Sequence, residues 1–227
     1  MQTKAFNELF PLFNSASPDT LEWLLSVVVE HEYPAERAVL MEDAWGNAVY
    51  FIVSGWVKVR RLYGENAVTL AILGSGDFFG EMAILDESPR STDVIALSEV
   101  KLLSVTAQRF IQTLFKDPQL HHRMLQLMVR RLRQTNIRFQ RRDQAPAVKL
   151  ANTLVNLAEN YGQRTTTGVE IFNIPYKDLA DITDINVDDT AKIMEKLASK
   201  GWIKIDQTNQ IFCITNIKQL TNLAEHA

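Results

Sequence analysis

Apolar and polar positions change their spacing three times along the chain. Ser17-Pro18 opens a stretch in which Leu21, Leu24, Leu25 and Val28 share one face, as an amphipathic helix with a hydroxyl cap and an early proline does. From about Tyr33 to Val105, short apolar runs are cut by Gly46-Asn47, Ser54-Gly55, Gly64-Glu65-Asn66, Gly74-Ser75-Gly76-Asp77 and Ser88-Pro89. That rhythm predicts a small antiparallel barrel or jelly roll, with Val57, Val59 and Leu62 facing Val68, Leu70 and Ile72 in a hairpin. A helix from about Ala107 stops at Asp117-Pro118 and restarts with Asp117 as N-cap. In the restarted helix Leu125, Met128, Leu132, Thr135 and Phe139 alternate spacings of three and four, which predicts the seam of a two-stranded coiled coil and hence a homodimer.

A second folding unit begins after Asp143-Gln144-Ala145-Pro146. Val148–Ala158 reads as an amphipathic helix, Ile174–Thr183 as another, Asp184-Ile185 as a tight turn and Asn186–Ser199 as a further helix. Gly201–Ile205 and Gln210–Ile214 then read as a hairpin, which completes a winged helix-turn-helix, with a possible last helix over Ile217–Ala224. The expected class is α+β, with a barrel over 1–116, a dimerisation helix over 117–143 and a winged helix-turn-helix domain over 144–227.

Composition narrows the field. A chain of 227 residues, 46% hydrophobic, suits one or two soluble domains. Cys213 is the single cysteine and lies in the apolar run Ile211–Ile214, so it is expected as a buried thiol in a reducing, cytoplasmic setting. No apolar run approaches the roughly 20 residues that cross a bilayer, and no signal stretch opens the chain. His31, His121, His122 and His226 have no metal-ligand spacing, and neither a Ser/His/Asp constellation nor a carboxylate pair is apparent. Neither a metal nor an enzyme is expected.

The chemistry gathers in Gly76-Asp77-Phe78-Phe79-Gly80-Glu81-Met82-Ala83-Ile84-Leu85-Asp86-Glu87-Ser88-Pro89-Arg90-Ser91-Thr92. Gly80 lets backbone approach a ligand, and the amides of Glu81, Met82 and Ala83 can point at an anion. Glu81 can accept from a ribose hydroxyl. Arg90 offers a planar fork to phosphate oxygens, and Ser91 adds a hydroxyl donor. This segment resembles the phosphate-binding cassette of the cyclic-AMP receptor protein (Crp/Fnr) superfamily, and the order of the remaining elements resembles that family over nearly the whole chain. The resemblance implies a cyclic-nucleotide-binding jelly roll, a dimer interface along the long helix, and a DNA-binding winged helix whose output is transcription. It also implies that Thr135 and Asn136 contact the base. The family usually has a small hydroxyl where Asn136 stands, and an amide, with both donor and acceptor, can alter purine preference.

Two departures from the family pattern bear on ligand and output. Recognition helices of the family commonly present a glutamate and an arginine one turn apart, with another arginine nearby. Here those places hold Asp188, Lys192 and Val187, with Asp189 adding a second acid. Lysine cannot make arginine's bidentate contact to guanine, so Lys177, Asn186, Val187, Asp188, Asp189 and Lys192 form either an unusual DNA reader or a surface for a partner regulatory protein. Positive charge gathers instead along Arg123, Arg130, Arg131, Arg133, Arg138, Arg141 and Arg142, with no acid between Asp117 and Asp143. Arg60, Arg61, Arg138, Arg141, Arg142 and Asp143 are therefore candidates for a second phosphate or a guanine, which would make the effector cyclic di-GMP in place of cyclic AMP. A solvated helix face is the plainer alternative.

Overall fold

The computed structural model describes residues 3–225, which divide into two compact units, Met1–Asn136 and Ile137–Ala227. The first unit opens with α1 (Thr3–Leu9), a 3-10 turn (Pro11–Phe13) and α2 (Pro18–Val27). Eight strands follow: β1 (Val29–Tyr33), β2 (Ala38–Leu40), β3 (Ala48–Ser54), β4 (Val57–Tyr63), β5 (Asn66–Leu73), β6 (Phe78–Phe79), then, after the short helix α3 (Glu81–Leu85), β7 (Asp93–Ala96) and β8 (Val100–Thr106). The helices α4 (Ala107–Lys116) and α5 (Pro118–Gln140) come last, and the boundary between the units falls inside α5.

The strands form two antiparallel four-stranded sheets, ordered β1-β8-β3-β6 and β2-β7-β4-β5. On β3, Val49 and Phe51 pack with Phe6, Phe10, Phe13, Phe110 and Leu120 under the helices, whereas Ile52 packs with Val57, Phe79, Val94 and Ala96 on the opposite face. Alternation of side chains along the strand thus separates a helix-side core from an inter-sheet core. The β4–β5 hairpin forms as its spacing predicts, pairing Val57 with Leu73 and Leu62 with Ala67, with a bulge between Val59 and Arg60 that shifts the register midway.

Capping fixes the helix starts. Ser17 Oγ accepts from Thr20 N at the head of α2, and Asp117 Oδ1 accepts from Gln119 N and Leu120 N at the head of α5. Asp117 Oδ2 also accepts from Ser17 N at 2.8 Å, so one carboxylate joins two helix heads. One boundary expectation changes. Val28 is the extended residue that ends α2, and the sheet begins at Val29, earlier than Tyr33. Before Ser17, Phe6, Phe10 and Phe13 are fully buried. On α5 Met128 packs against the helix-side core, while Leu125, Val129, Leu132 and Phe139 are 55, 55, 61 and 72% exposed. Leu125, Val129, Leu132, Asn136 and Phe139, at alternating spacings of four and three, are all exposed on this helix.

The second unit contains α6 (Pro146–Tyr161), β9 (Gln163–Arg164), β10 (Val169–Phe172), α7 (Tyr176–Thr183), α8 (Val187–Ser199), β11 (Ile203–Asp206), β12 (Ile211–Ile214) and α9 (Ile217–Glu225). The wing hairpin is extended by β10 and β9 into a sheet ordered β11-β12-β10-β9. Pro175 starts α7 two residues later than the apolar pattern implies, since Ile174 is extended core and not helix. Asp184 takes the left-handed conformation between α7 and α8, and Asn186 Oδ1 caps α8 by accepting from Asp189 N at 2.7 Å. Cys213 is a buried free thiol.

Candidate functional site

The site forms where β6 runs into α3. Gly80 caps α3 at φ 86°, and a Cβ there would lie 2.7 Å from Arg90 Nη1, so glycine is required both by conformation and by space. Arg90 itself is only 5% exposed. Its Nη1 donates to Gly80 O and its Nη2 to Ala48 O at 2.7 Å. Gly46 closes the far side, because a Cβ there would meet Arg90 Cζ at 3.0 Å. Burial pulls the guanidinium below its ordinary value, while Tyr50 and Glu81 favour its charge. No carboxylate of the described residues lies within ion-pair distance of it. A buried cation held only by carbonyl dipoles is incompletely compensated, and an anion is the group that would complete it.

Glu81, the expected ribose contact, is buried and bonded to the long helix. Arg131 of α5 donates from Nη1 to Glu81 Oε1 at 2.6 Å and from Nη2 to Phe78 O at 2.7 Å. The same guanidinium lies 4.3 Å above the Phe78 ring and 3.8 Å from Asp77 Oδ1. Burial pushes the Glu81 carboxyl above its ordinary value, against the pull of Arg131. The cassette is thereby tied to the long helix in this unit, and Arg131 is the site residue that sequence reasoning placed only in a general basic row. Thr135, one turn further on the same face, donates from Oγ1 to Arg131 O, and both Thr135 and Asn136 are exposed. Met82 and Ser91 are exposed, while Ala83 is buried.

The other arginines have their own partners. Arg60 Nε donates to Asp93 Oδ2 at 3.0 Å, and the buried Asp93 also accepts from Glu42 N. Arg61 lies 3.3 Å from Glu42 Oε1 and above the Tyr63 ring. In the second unit Arg138 Nη2 donates to Asp181 O, Arg141 Nη1 to Asn152 Oδ1, and Arg142 Nε lies 3.9 Å from Asp184 Oδ2. Lys149 Nζ adds a 2.7 Å bond to Asp184 O. Arg138 and Lys149 meet carbonyls at the end of α7, where orphan acceptors and the helix dipole favour cations. Of these three members of the arginine row, Arg138 bonds a carbonyl and Arg141 a side-chain amide, and Arg142 lies near a carboxylate. Asp143 is exposed.

On the helix-turn-helix, Lys177 pairs with Asp181 one turn along α7, and Lys192 lies 3.8 Å from Asp189 on α8. Asn186, Val187 and Asp188 are exposed at the head of α8. No group of three His, Cys, Asp or Glu placed to hold a metal occurs among the described residues, and His226 lies outside them. No described helix is long and apolar enough to cross a membrane.

The first unit is thus a two-sheet roll with a glycine-capped helix over a buried arginine, and the second has the winged helix-turn-helix fold. Residues 30–117 match the family model of the cyclic nucleotide-binding domain. The cyclic AMP receptor protein of Thermus thermophilus is 27% identical over 86% of this chain and 88% of its own length. A CRP-like cAMP-activated global transcriptional regulator of Mycobacterium tuberculosis is 25% identical over the same shares. Among solved structures, FixK2 from Bradyrhizobium japonicum superposes with a TM-score of 0.76 at 17% identity, over 88% of this chain and 99% of that one, a likeness of fold. Residues 30–117 thus match a cyclic nucleotide-binding domain, and over most of its length the chain is similar to transcriptional regulators of the cyclic-AMP receptor protein (Crp/Fnr) type.

Proposed function

We propose that this protein is a cytoplasmic, homodimeric regulator that binds the phosphate of a cyclic nucleotide at Arg90 and uses the ligand to switch the output of its winged helix. The observation that carries the reading is the buried Arg90 guanidinium, compensated only by the Gly80 and Ala48 carbonyls. Amides at the head of α3 and the Ser91 hydroxyl supply further donors to the same anion. The exposed apolar seam of Leu125, Val129, Leu132 and Phe139 supports the dimer, with Asn136 as the polar member that sets its register. Cyclic AMP and cyclic di-GMP share the phosphodiester that suits Arg90. The names of the two curated relatives support cyclic AMP. The amide of Asn136, a donor and an acceptor together, supports a guanine edge and so cyclic di-GMP. Arg60, Arg61, Arg138, Arg141 and Arg142, which already have partners, and the exposed Asp143 are the candidates for a second phosphate or base.

Switching requires that the ligand bind one arrangement of the protein better than another, and equal affinity would switch nothing. For the output there are two readings. The family supports DNA as target, through Lys177, Asn186, Val187, Asp188, Asp189 and Lys192. The internal pairing of Lys177 with Asp181 and of Lys192 with Asp189 supports the second, binding to a partner regulatory protein. Calorimetry of the wild type and of Arg90→Ala with both nucleotides tests the ligand site. Loss of a charge-assisted fork is expected to weaken binding about 100-fold. Equal affinity in the two proteins would remove Arg90 from the site.

A further inference from the structure

Tyr50 stands beside Arg90 and belongs to no motif. Val49 and Phe51 turn toward the helix-side core, so Tyr50 and Ile52 turn to the inter-sheet face, where Tyr50 packs at the edge of the cluster that contains Ile52 and Phe79. Its position is fixed from below. The ring lies flat on Phe79, with centroids 5.5 Å apart and planes inclined by 7°, and Phe79 is its register partner across β3 and β6. Phe79 immediately precedes Gly80, and Ala48 precedes Tyr50 by two residues on the same face of β3. The Gly80 and Ala48 carbonyls are the two acceptors of Arg90. A two-residue step along a strand is about 7 Å, which is within the span of a phenol ring and a guanidinium.

Two properties make the hydroxyl available. Among the described residues Tyr50 makes no hydrogen bond through its side chain, and it remains half-buried at the open edge of the cluster. Burial holds its phenol above the ordinary value, with Tyr33 adding to that and Arg90 opposing it, so the group stays a proton donor at neutral pH. A neutral O–H donor beside a buried guanidinium suits an anion and gives nothing to a second cation.

We infer that Tyr50 donates its hydroxyl proton to the same phosphate that Arg90 holds, from the sheet side of the site. This rests on the nucleotide reading of Arg90 given above. Tyr50 then acts as a specificity residue for the anionic diester, because its contact is with the phosphate and not with the base.

The test is calorimetry on the full-length protein with cyclic AMP, cyclic di-GMP and adenosine, comparing wild type, Tyr50→Phe, Arg90→Lys and the double variant. Phenylalanine keeps the ring on Phe79 and removes only the hydroxyl. Tyr50→Phe is expected to weaken the bound cyclic nucleotide about 10-fold while leaving adenosine unchanged, and to cost less in the Arg90→Lys background because the two donors share one anion. The phosphorothioates of cyclic AMP add a stereochemical readout. One isomer is expected to lose more than the other, since Tyr50 meets one exocyclic oxygen. Equal nucleotide affinity in wild type and Tyr50→Phe overturns the inference while leaving Arg90 in place. So does an equal loss for nucleotide and adenosine, which would mark a structural effect. Absence of nucleotide binding by the wild type overturns the nucleotide reading itself, and the Tyr50 contact with it.

Discussion

Arg90 and Arg142 carry the same side chain in opposite surroundings. Arg90 is buried in the first unit, with two main-chain carbonyls as partners and no carboxylate within reach. Arg142 is exposed in the second unit and lies near an exposed carboxylate, Asp184. An exposed pair of that kind contributes roughly 0–1 kcal/mol, and its charge is already answered. A buried cation without a counter-charge instead leaves a standing demand for an anion. On the proposed function, the comparison explains why a chain of formal charge −3 would concentrate its ligand chemistry at one arginine among many. It also explains why sequence proximity of cations is a weak guide to an anion site, because charge matters where the fold removes its partners.

The largest expected effect breaks the comparison inside the first unit. Arg131→Ala removes the partner of the buried Glu81 and leaves a carboxylate without compensation, which is expected to cost about 3 kcal/mol of stability at neutral pH. Burial holds Glu81 above the unfolded value, so its protonated form is favoured in the fold. The cost should therefore shrink as pH falls through that raised value and be greatest above it. Denaturant unfolding of wild type and variant across pH measures this. A loss independent of pH would mean that Arg131 acts by packing on Phe78 alone.

Asp117 is the opposite carboxylate and sharpens the contrast. Burial works against its charge, yet N–H donors from Ser17, Leu120 and Gln119 outweigh it and hold the carboxyl below its ordinary value. A depressed carboxylate stabilises the fold above the unfolded pKa and loses that contribution as pH falls through the folded value. Asp117→Ala is expected to cost about 2 kcal/mol at neutral pH, through lost capping of α5 and the orphaned Ser17 N–H, and little in strong acid. Acid unfolding of the two proteins should converge. If they remain apart in acid, the carboxylate charge is not the cause.

Much of this was legible in the sequence, for reasons that can be named. The cassette is local, so Gly80 and Arg90 carry their roles in one linear run, and helix heads at Ser17, Asp117 and Asn186 follow from side-chain chemistry a few residues long. Phe6, Phe10 and Phe13 also showed helical spacing, a signal that was present and unused. The partners of Arg131 and the role of Tyr50 were not legible, because they depend on which segments the sheets bring together over long sequence separations. The seam of α5 was half legible. Two heptad choices share Leu125, Leu132 and Phe139, and the packing of Met128 against the core favours Val129 and Asn136 for the proposed dimer.

The smallest expected effect concerns the second unit and the side of the comparison where charge is already answered. Asp188 and Asp189 occupy the first turn of α8, where they favour the helix dipole, and Asp189 also accepts from Asn186 Nδ2 at 2.7 Å and lies near Lys192. That same turn is the part of a recognition helix that enters the major groove, so helix stability and attraction to phosphates oppose one another here. Changing Val187→Arg, Asp189→Thr and Lys192→Arg together removes one acid, leaves position 192 without that partner and introduces two bidentate donors. The variant is expected to lose about 0.5 kcal/mol of stability from the weakened dipole contact. It should gain roughly 10-fold in DNA affinity, with a steeper dependence on salt because more counterions are released. Affinity for duplex DNA against salt, with and without cyclic nucleotide, measures both. An unmodified protein that already binds DNA tightly and sequence-specifically at moderate salt would mean that its paired lysines exchange their partners for phosphates at little cost, and the reading of α8 as a protein-docking helix would fall.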